Sequence, residues 1–157
     1  MLLNFQRYGR MKGMCQIVTW SIRDETHHVE SMIKLFHQLI KENPNIWTEK
    51  FKASIYQTAR DMVDLEDKFI DLAFDMGGIR GLKPEEVKQY IRYIADRRLT
   101  QLGLPELYKI EKNPLPWMDE MLNAVEHTNF FEGRATEYSR AATTGSWAKT
   151  FEQAFGT

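Results

Sequence analysis

At 157 residues the chain has one domain's worth of length, enough to bury a core of its own. Its 21 basic and 22 acidic residues are mixed along the sequence and leave a formal net charge of -1, which excludes the basic footprint of a nucleic-acid binder. No apolar run approaches the roughly 18 residues of a membrane span, the start lacks a signal-peptide layout, and the single Cys15 has no internal disulfide partner, so a soluble cytoplasmic protein is expected.

From Met1 the apolar positions Leu2, Phe5, Tyr8, Met11, Cys15, Val18 and Ile22 run in helical phase with no N-cap before them, so the chain is expected to begin inside a helix. That helix is predicted to run about forty residues, to Leu39, Ile40 and Lys41, until Asn43-Pro44 stops it. Gly9 and Gly13 allow a bend or a close helix contact along it.

Within this helix, Val18, Ser21, Ile22, Glu25, His28, Val29, Met32, Leu35 and Phe36 fall on one side. A carboxylate in an apolar stripe needs a hydrogen-bonded partner or a cation, because an unpaired buried charge costs several kcal/mol. Glu-x-x-His on a helix directs an oxygen and a nitrogen donor from neighbouring turns toward one point, the arrangement used twice in dinuclear helical bundles. The same spacing also occurs by chance on solvated helices. Asp24 has two readings as well: it orients a ligating imidazole from another helix, or it pairs with Arg23 at the surface.

A second helix is predicted from about Ile46 to Asp75, with Phe51, Ile55, Met62, Leu65, Phe69, Leu72 and Met76 on its apolar side and Asp61, Asp64, Asp67 and Asp71 solvated. Glu66 borders the stripe and has two readings, the one carboxylate of this helix placed to face inward or, as preferred, a solvated edge residue. After the Gly77-Gly78 and Gly81 loop, Pro84-Glu85-Glu86 opens a third helix carrying Val87, Tyr90, Ile91, Ile94, Ala95 and Leu99, which ends at Gly103. No segment alternates with period two, so no sheet is predicted. Pro105, Pro114 and Pro116 then enforce an extended connection into a short helix through about Leu122. Beyond Asn123 the pattern degrades into a polar tail in which Phe130, Phe131, Trp147, Phe151 and Phe155 stand as separate aromatics, a composition suited to docking on a partner or to a frayed helix.

A dinuclear site requires two Glu-x-x-His motifs and two further carboxylates. This chain has one such motif, since His37 and His127 lack a Glu three residues earlier. No catalytic triad order, Cys-x-x-Cys or phosphate-cradling loop is present either.

Met11 to His28 (Met-Lys-Gly-Met-Cys-Gln-Ile-Val-Thr-Trp-Ser-Ile-Arg-Asp-Glu-Thr-His-His), Gly81-Leu82, Tyr90 to Gly103, Asn113-Pro114-Leu115-Pro116-Trp117 and Asn129 to Ser139 together carry a family likeness. In this order they resemble the C-terminal half of the small, radical-generating subunit of class I ribonucleotide reductase. The resemblance implies an all-α, ferritin-like helical bundle, here partial, with residues 1–122 as half of that domain and 123–157 as a flexible tail. It implies a di-iron centre, manganese in some members, that yields the radical for reducing ribonucleotides to deoxyribonucleotides. By position, Glu25 and His28 match metal ligands, and Asp24 matches the aspartate linking the metal to the radical-transfer path. Tyr138 matches the tail tyrosine that relays the radical, Glu132 the tail glutamate associated with that transfer, and the end with Phe151 and Phe155 the segment that docks on the large subunit.

The family's first metal-binding helices have no counterpart here, and four of six expected ligands are missing. Alone, the chain is expected not to hold a stable dinuclear centre. The first reading is therefore half of such an oxidoreductase subunit, inactive until it joins the missing N-terminal half, with a dimer of small subunits implied. The alternatives are a truncated, non-catalytic protein that only docks on the large subunit, and an unrelated bundle binding one metal ion or none.

Overall fold

A computed structural model describes residues 1–126. These form α1 (Leu3–Arg7), α2 (Lys12–Glu42), a single 3-10 turn at Pro44–Ile46, α3 (Glu49–Asp75), α4 (Pro84–Gln101) and α5 (Pro116–Glu126). There is no strand among the described residues, as the missing period-two alternation predicted.

The single forty-residue helix expected at the start is not formed. Gly9 and Met11 both take left-handed backbone angles, with φ 62° and 49°, and the turn between them separates α1 from α2. A left-handed conformation costs a non-glycine residue about 1–2 kcal/mol, so the break at Met11 has to be held by other contacts. Those contacts are on α1. Buried Asn4 donates its side-chain amide to the Arg80 carbonyl at 2.8 Å, and Arg7 donates to the Gly81 carbonyl at 3.3 Å. Tyr8 lies against Gly81, whose φ of 76° and lack of a side chain let the phenol approach. The Arg80 guanidinium covers the Tyr8 ring at 4.6 Å, and that of Arg7 covers Trp117 at 4.3 Å.

The best-packed part is the hairpin of α3 and α4. Thr48 caps α3 by accepting the Phe51 N–H at 3.2 Å, and α4 opens with Pro84 at its first turn followed by Glu85 and Glu86, as its sequence signalled. Ile70, Leu82, Val87 and Leu115 form the core between the helices and the returning connection. Asp67, predicted to be solvated, is instead engaged: Arg92 donates to its two oxygens at 3.0 and 2.6 Å. That hydrogen-bonded guanidinium holds the Asp67 carboxyl below the usual carboxylate range despite some opposing desolvation, and Arg92 is raised in return. Lys88 adds an ion pair to Asp71 at 2.6 Å.

The predicted apolar side of α3 is not its buried side. Val63 and Ile70 are buried, whereas Met62, Leu65, Phe69 and Leu72 are more than half exposed and Met76 is almost fully so. The helix carries two apolar stripes on different faces, and the other described elements cover one of them.

After Gly103, which ends α4 with φ 78°, the chain returns along the hairpin around Asp96. This carboxylate is 2% exposed. One oxygen accepts the Leu107 and Tyr108 N–H groups, both at 2.8 Å, and the other accepts Ile110 N–H at 3.1 Å. A buried charge is thus satisfied by three backbone donors that would otherwise lack partners. Asn113 then fixes the entry to α5, its side-chain oxygen accepting Leu115 N–H and its amide donating to Asp119. The last helix runs to Glu126, four residues beyond the Leu122 expected from the pattern.

Candidate metal centre

Both predicted ligands stand on α2, on consecutive turns. The helical rise brings Glu25 and His28 together, with Glu25 Oε2 3.7 Å from His28 Nδ1. Donors bound about 2.1 Å from one ion stand about 3–3.5 Å apart, so a small side-chain rotation converts this pair into a chelate. Asp24 joins them one turn before His28, its carboxylate 4.0 Å from the other ring nitrogen, Nε2. One donor atom from each of the three residues falls within 4.8 Å of the others. Two carboxylates and an imidazole suit a first-row divalent metal, and the second imidazole nitrogen facing an acid is the usual device for fixing ring orientation.

The expected apolar surroundings are absent. Glu25, His28 and Asp24 have side chains 68%, 63% and 72% exposed. The stripe of α2 splits along its length: Val18, Ile22, Val29 and Phe36 are half-buried, while Ser21, Glu25, His28, Met32, Leu35 and Leu39 face outward. The outward set repeats at alternating three- and four-residue steps, so Glu25 and His28 share one seam with exposed methionine and leucine side chains. No other described element of the chain covers that seam. Three donors on one helix leave most positions around a metal open, which fits the shortfall counted in the sequence.

The other candidates are apart from this cluster. His37 binds the Gln101 carbonyl through Nε2 at 2.7 Å and ties α2 to the end of α4. Glu66 is exposed, as expected of an edge residue. Tyr138, Glu132, Phe151 and Phe155 lie outside the described residues. Sequence reasoning overlooked Asp96: it lies about 140° around the helix from Ile91, off the apolar stripe, and its burial comes from the backbone of residues 107–110, which periodicity does not reveal.

A family model described as "Ribonucleotide reductase, small chain" matches residues 1–114. The chain belongs to this family. It is 54% identical over 148 residues to a probable ribonucleoside-diphosphate reductase small subunit of Invertebrate iridescent virus 3, covering 94% of this chain and 39% of that protein. A ribonucleoside-diphosphate reductase subunit beta of Chlamydia pneumoniae is 38% identical over 143 residues, covering 90% and 40% of the two chains. Among solved structures, the ribonucleotide reductase R2 subunit from Clostridium botulinum aligns with a TM-score of 0.71 and 30% identity over 75% of this chain and 37% of that one. The chain therefore spans about two fifths of the length of these relatives. The all-helical architecture of the small-chain family, a family of oxidoreductase subunits, accounts for α1 to α5. No helix among the described residues is long and apolar enough to cross a membrane.

Proposed function

We propose that this chain contributes Glu25 and His28 to the dinuclear metal centre of a ribonucleoside-diphosphate reductase small subunit, and that further helices of such a subunit complete the site. One observation carries the reading: the Glu-x-x-His pair is a small side-chain rotation from chelating geometry, yet stands exposed in register with the apolar Met32, Leu35 and Leu39. A partner that covers the seam for hydrophobic reasons also brings its own ligands to Glu25 and His28 and removes water from them. The family's first-half helices, with the remaining carboxylates and the other Glu-x-x-His, are that partner. Iron is the assigned metal, with manganese an admissible substitute for the same oxygen and nitrogen donors.

In the assembled site Glu25 and His28 bind the metals, and Asp24 holds the imidazole next to it and carries the path by which the radical leaves. The bound metal pair supplies the one-electron oxidising power that the family uses. Residues 1–122 serve as half of the ferritin-like domain. Residues 123–157 serve as the tail, with Tyr138 relaying the radical, Glu132 assisting, and the terminal aromatics docking on the large subunit. The working assembly is a dimer of small subunits in the cytoplasm, whose reducing environment suits a buried free Cys15.

The test is co-expression with a matched N-terminal half, then metal analysis and ribonucleotide reduction with the large subunit. Two metal ions per assembled pair, lost in Glu25→Ala or His28→Ala without loss of assembly, is the expected result. Assembly without metal favours the docking-only alternative.

A further inference from the structure

We infer that Thr26 is a positioning residue for the Glu25–His28 pair, an inference that rests on the metal reading above and deepens it. Thr26 stands between those two residues on α2, and its hydroxyl donates to the Ile22 carbonyl at 2.8 Å. That carbonyl is also the acceptor of the Thr26 N–H in the regular helix ladder, so one oxygen serves two donors of the same residue. A threonine bonded back in this way draws the carbonyl outward, lengthens the N–H bond beside it and bends the helix there.

The side of the helix on which this happens decides its effect. Ile22 and Thr26 are half-buried, on the side of α2 turned toward the rest of the chain, whereas Glu25 and His28 are exposed. Around the helix Thr26 lies about 100° from Glu25 and about 160° from His28. Lengthening the covered side makes that side convex and the Glu25–His28 side concave. A surface helix ordinarily curves the other way, convex toward water, because its solvated carbonyls tilt outward. On such a helix Glu25 and His28 stand farther apart. The Thr26 hydroxyl opposes that curvature at the turn that carries them, and keeps Glu25 Oε2 at 3.7 Å from His28 Nδ1, a small rotation from chelation. Valine has nearly the shape of threonine and a similar helix propensity, so the hydroxyl alone separates the two at this position.

Cobalt(II) titrated into the full chain in competition with a chelating dye tests it, with Thr26→Val, Thr26→Ser and Glu25→Ala measured alongside. Thr26→Val is expected to raise the dissociation constant about threefold, less than the loss of about tenfold or more that follows removal of a hydrogen bond made directly to a ligand. Its urea midpoint should match that of the unsubstituted chain, which separates positioning from a loss of fold. Thr26→Ser keeps the hydroxyl and should restore the original affinity. Unchanged binding by Thr26→Val, while Glu25→Ala binds more weakly, overturns the inference and leaves the metal reading standing. Equal weakening by the valine and serine variants also overturns it, because the shape of the side chain would then matter and not its hydroxyl. Cobalt binding that all three substitutions leave unchanged overturns the metal reading together with the inference.

Discussion

The α3–α4 hairpin and α2 are made of similar amphipathic sequence but reach different degrees of completion. In the hairpin, each helix supplies what the other lacks: Ile70 meets Val87 and Leu115, Asp67 meets Arg92, and Asp96 meets the backbone that follows. Along the outer side of α2, Met32, Leu35 and Leu39 remain exposed beside Glu25 and His28. Hydrophobic patterning specifies that a face will be covered but not which polypeptide covers it. The inner face of the hairpin answers that question within the described residues, whereas the outer faces of α2 and α3 are not covered by them. Under the proposed function, a metal site on such a seam is coupled to assembly.

The sharpest way to break the comparison is to damage the hairpin's internal completion. Asp96→Ala removes the acceptor for three partly buried N–H groups, and since a fully buried one costs about 1–3 kcal/mol when unsatisfied, a loss of about 2–4 kcal/mol is expected in urea denaturation. Asp96→Asn keeps one acceptor oxygen and should lose less. A value under about 1 kcal/mol for the alanine variant would mean that the return loop is not part of the cooperative unit.

These differences also mark what the sequence could convey. Helix positions followed from periodicity and from Asn43-Pro44, Pro84-Glu85-Glu86 and Gly103, because local backbone physics sets those boundaries. A bend near Gly9 was legible in the glycine, but its growth into a full break through Met11 was not, since a methionine in left-handed conformation is held by the contacts of Asn4, Arg7 and Tyr8 with residues more than seventy positions away. The Glu25–His28 pairing was legible because three residues of helix are enough to bring them together. Their exposure was not, because spacing along one helix does not reveal whether a neighbour is present. For α3 the more regular stripe drew the reading to the outer face, while Val63 and Ile70 packed against the rest of the chain.

Acid titration sharpens the contrast between paired and unpaired carboxylates. The Asp67 pKa is lowered in the folded chain by its hydrogen bonds to Arg92. Its stabilisation is therefore complete above the unfolded value of about 3.9 and is lost as pH falls through the lower folded value. Asp67→Asn is expected to reduce stability by about 1 kcal/mol at neutral pH, a modest figure because the pair is partly solvated. The deficit should narrow toward zero in the acid arm. A deficit that stays constant down to pH 2 would assign the effect to side-chain packing instead of charge.

The smallest expected effect is the most informative about α2. In the chain alone, Leu35→Ala removes a side chain that is 60% exposed and should change stability by no more than about 0.5 kcal/mol. In the proposed complex with an N-terminal half the same residue would lie on the covered seam, and its truncation should weaken association by about 1–3 kcal/mol, measured as a rise in Kd. Leu35 stands seven residues after His28 on the same stripe, so this loss should occur in metal-free protein as well. If Leu35→Ala left apo association unchanged, the seam would not be the assembly surface. The exposure of Glu25 and His28 would then have no connection to a missing neighbour. A penalty that appears without metal, and grows when metal is added, would show that hydrophobic covering and metal binding reinforce one another across one helix face.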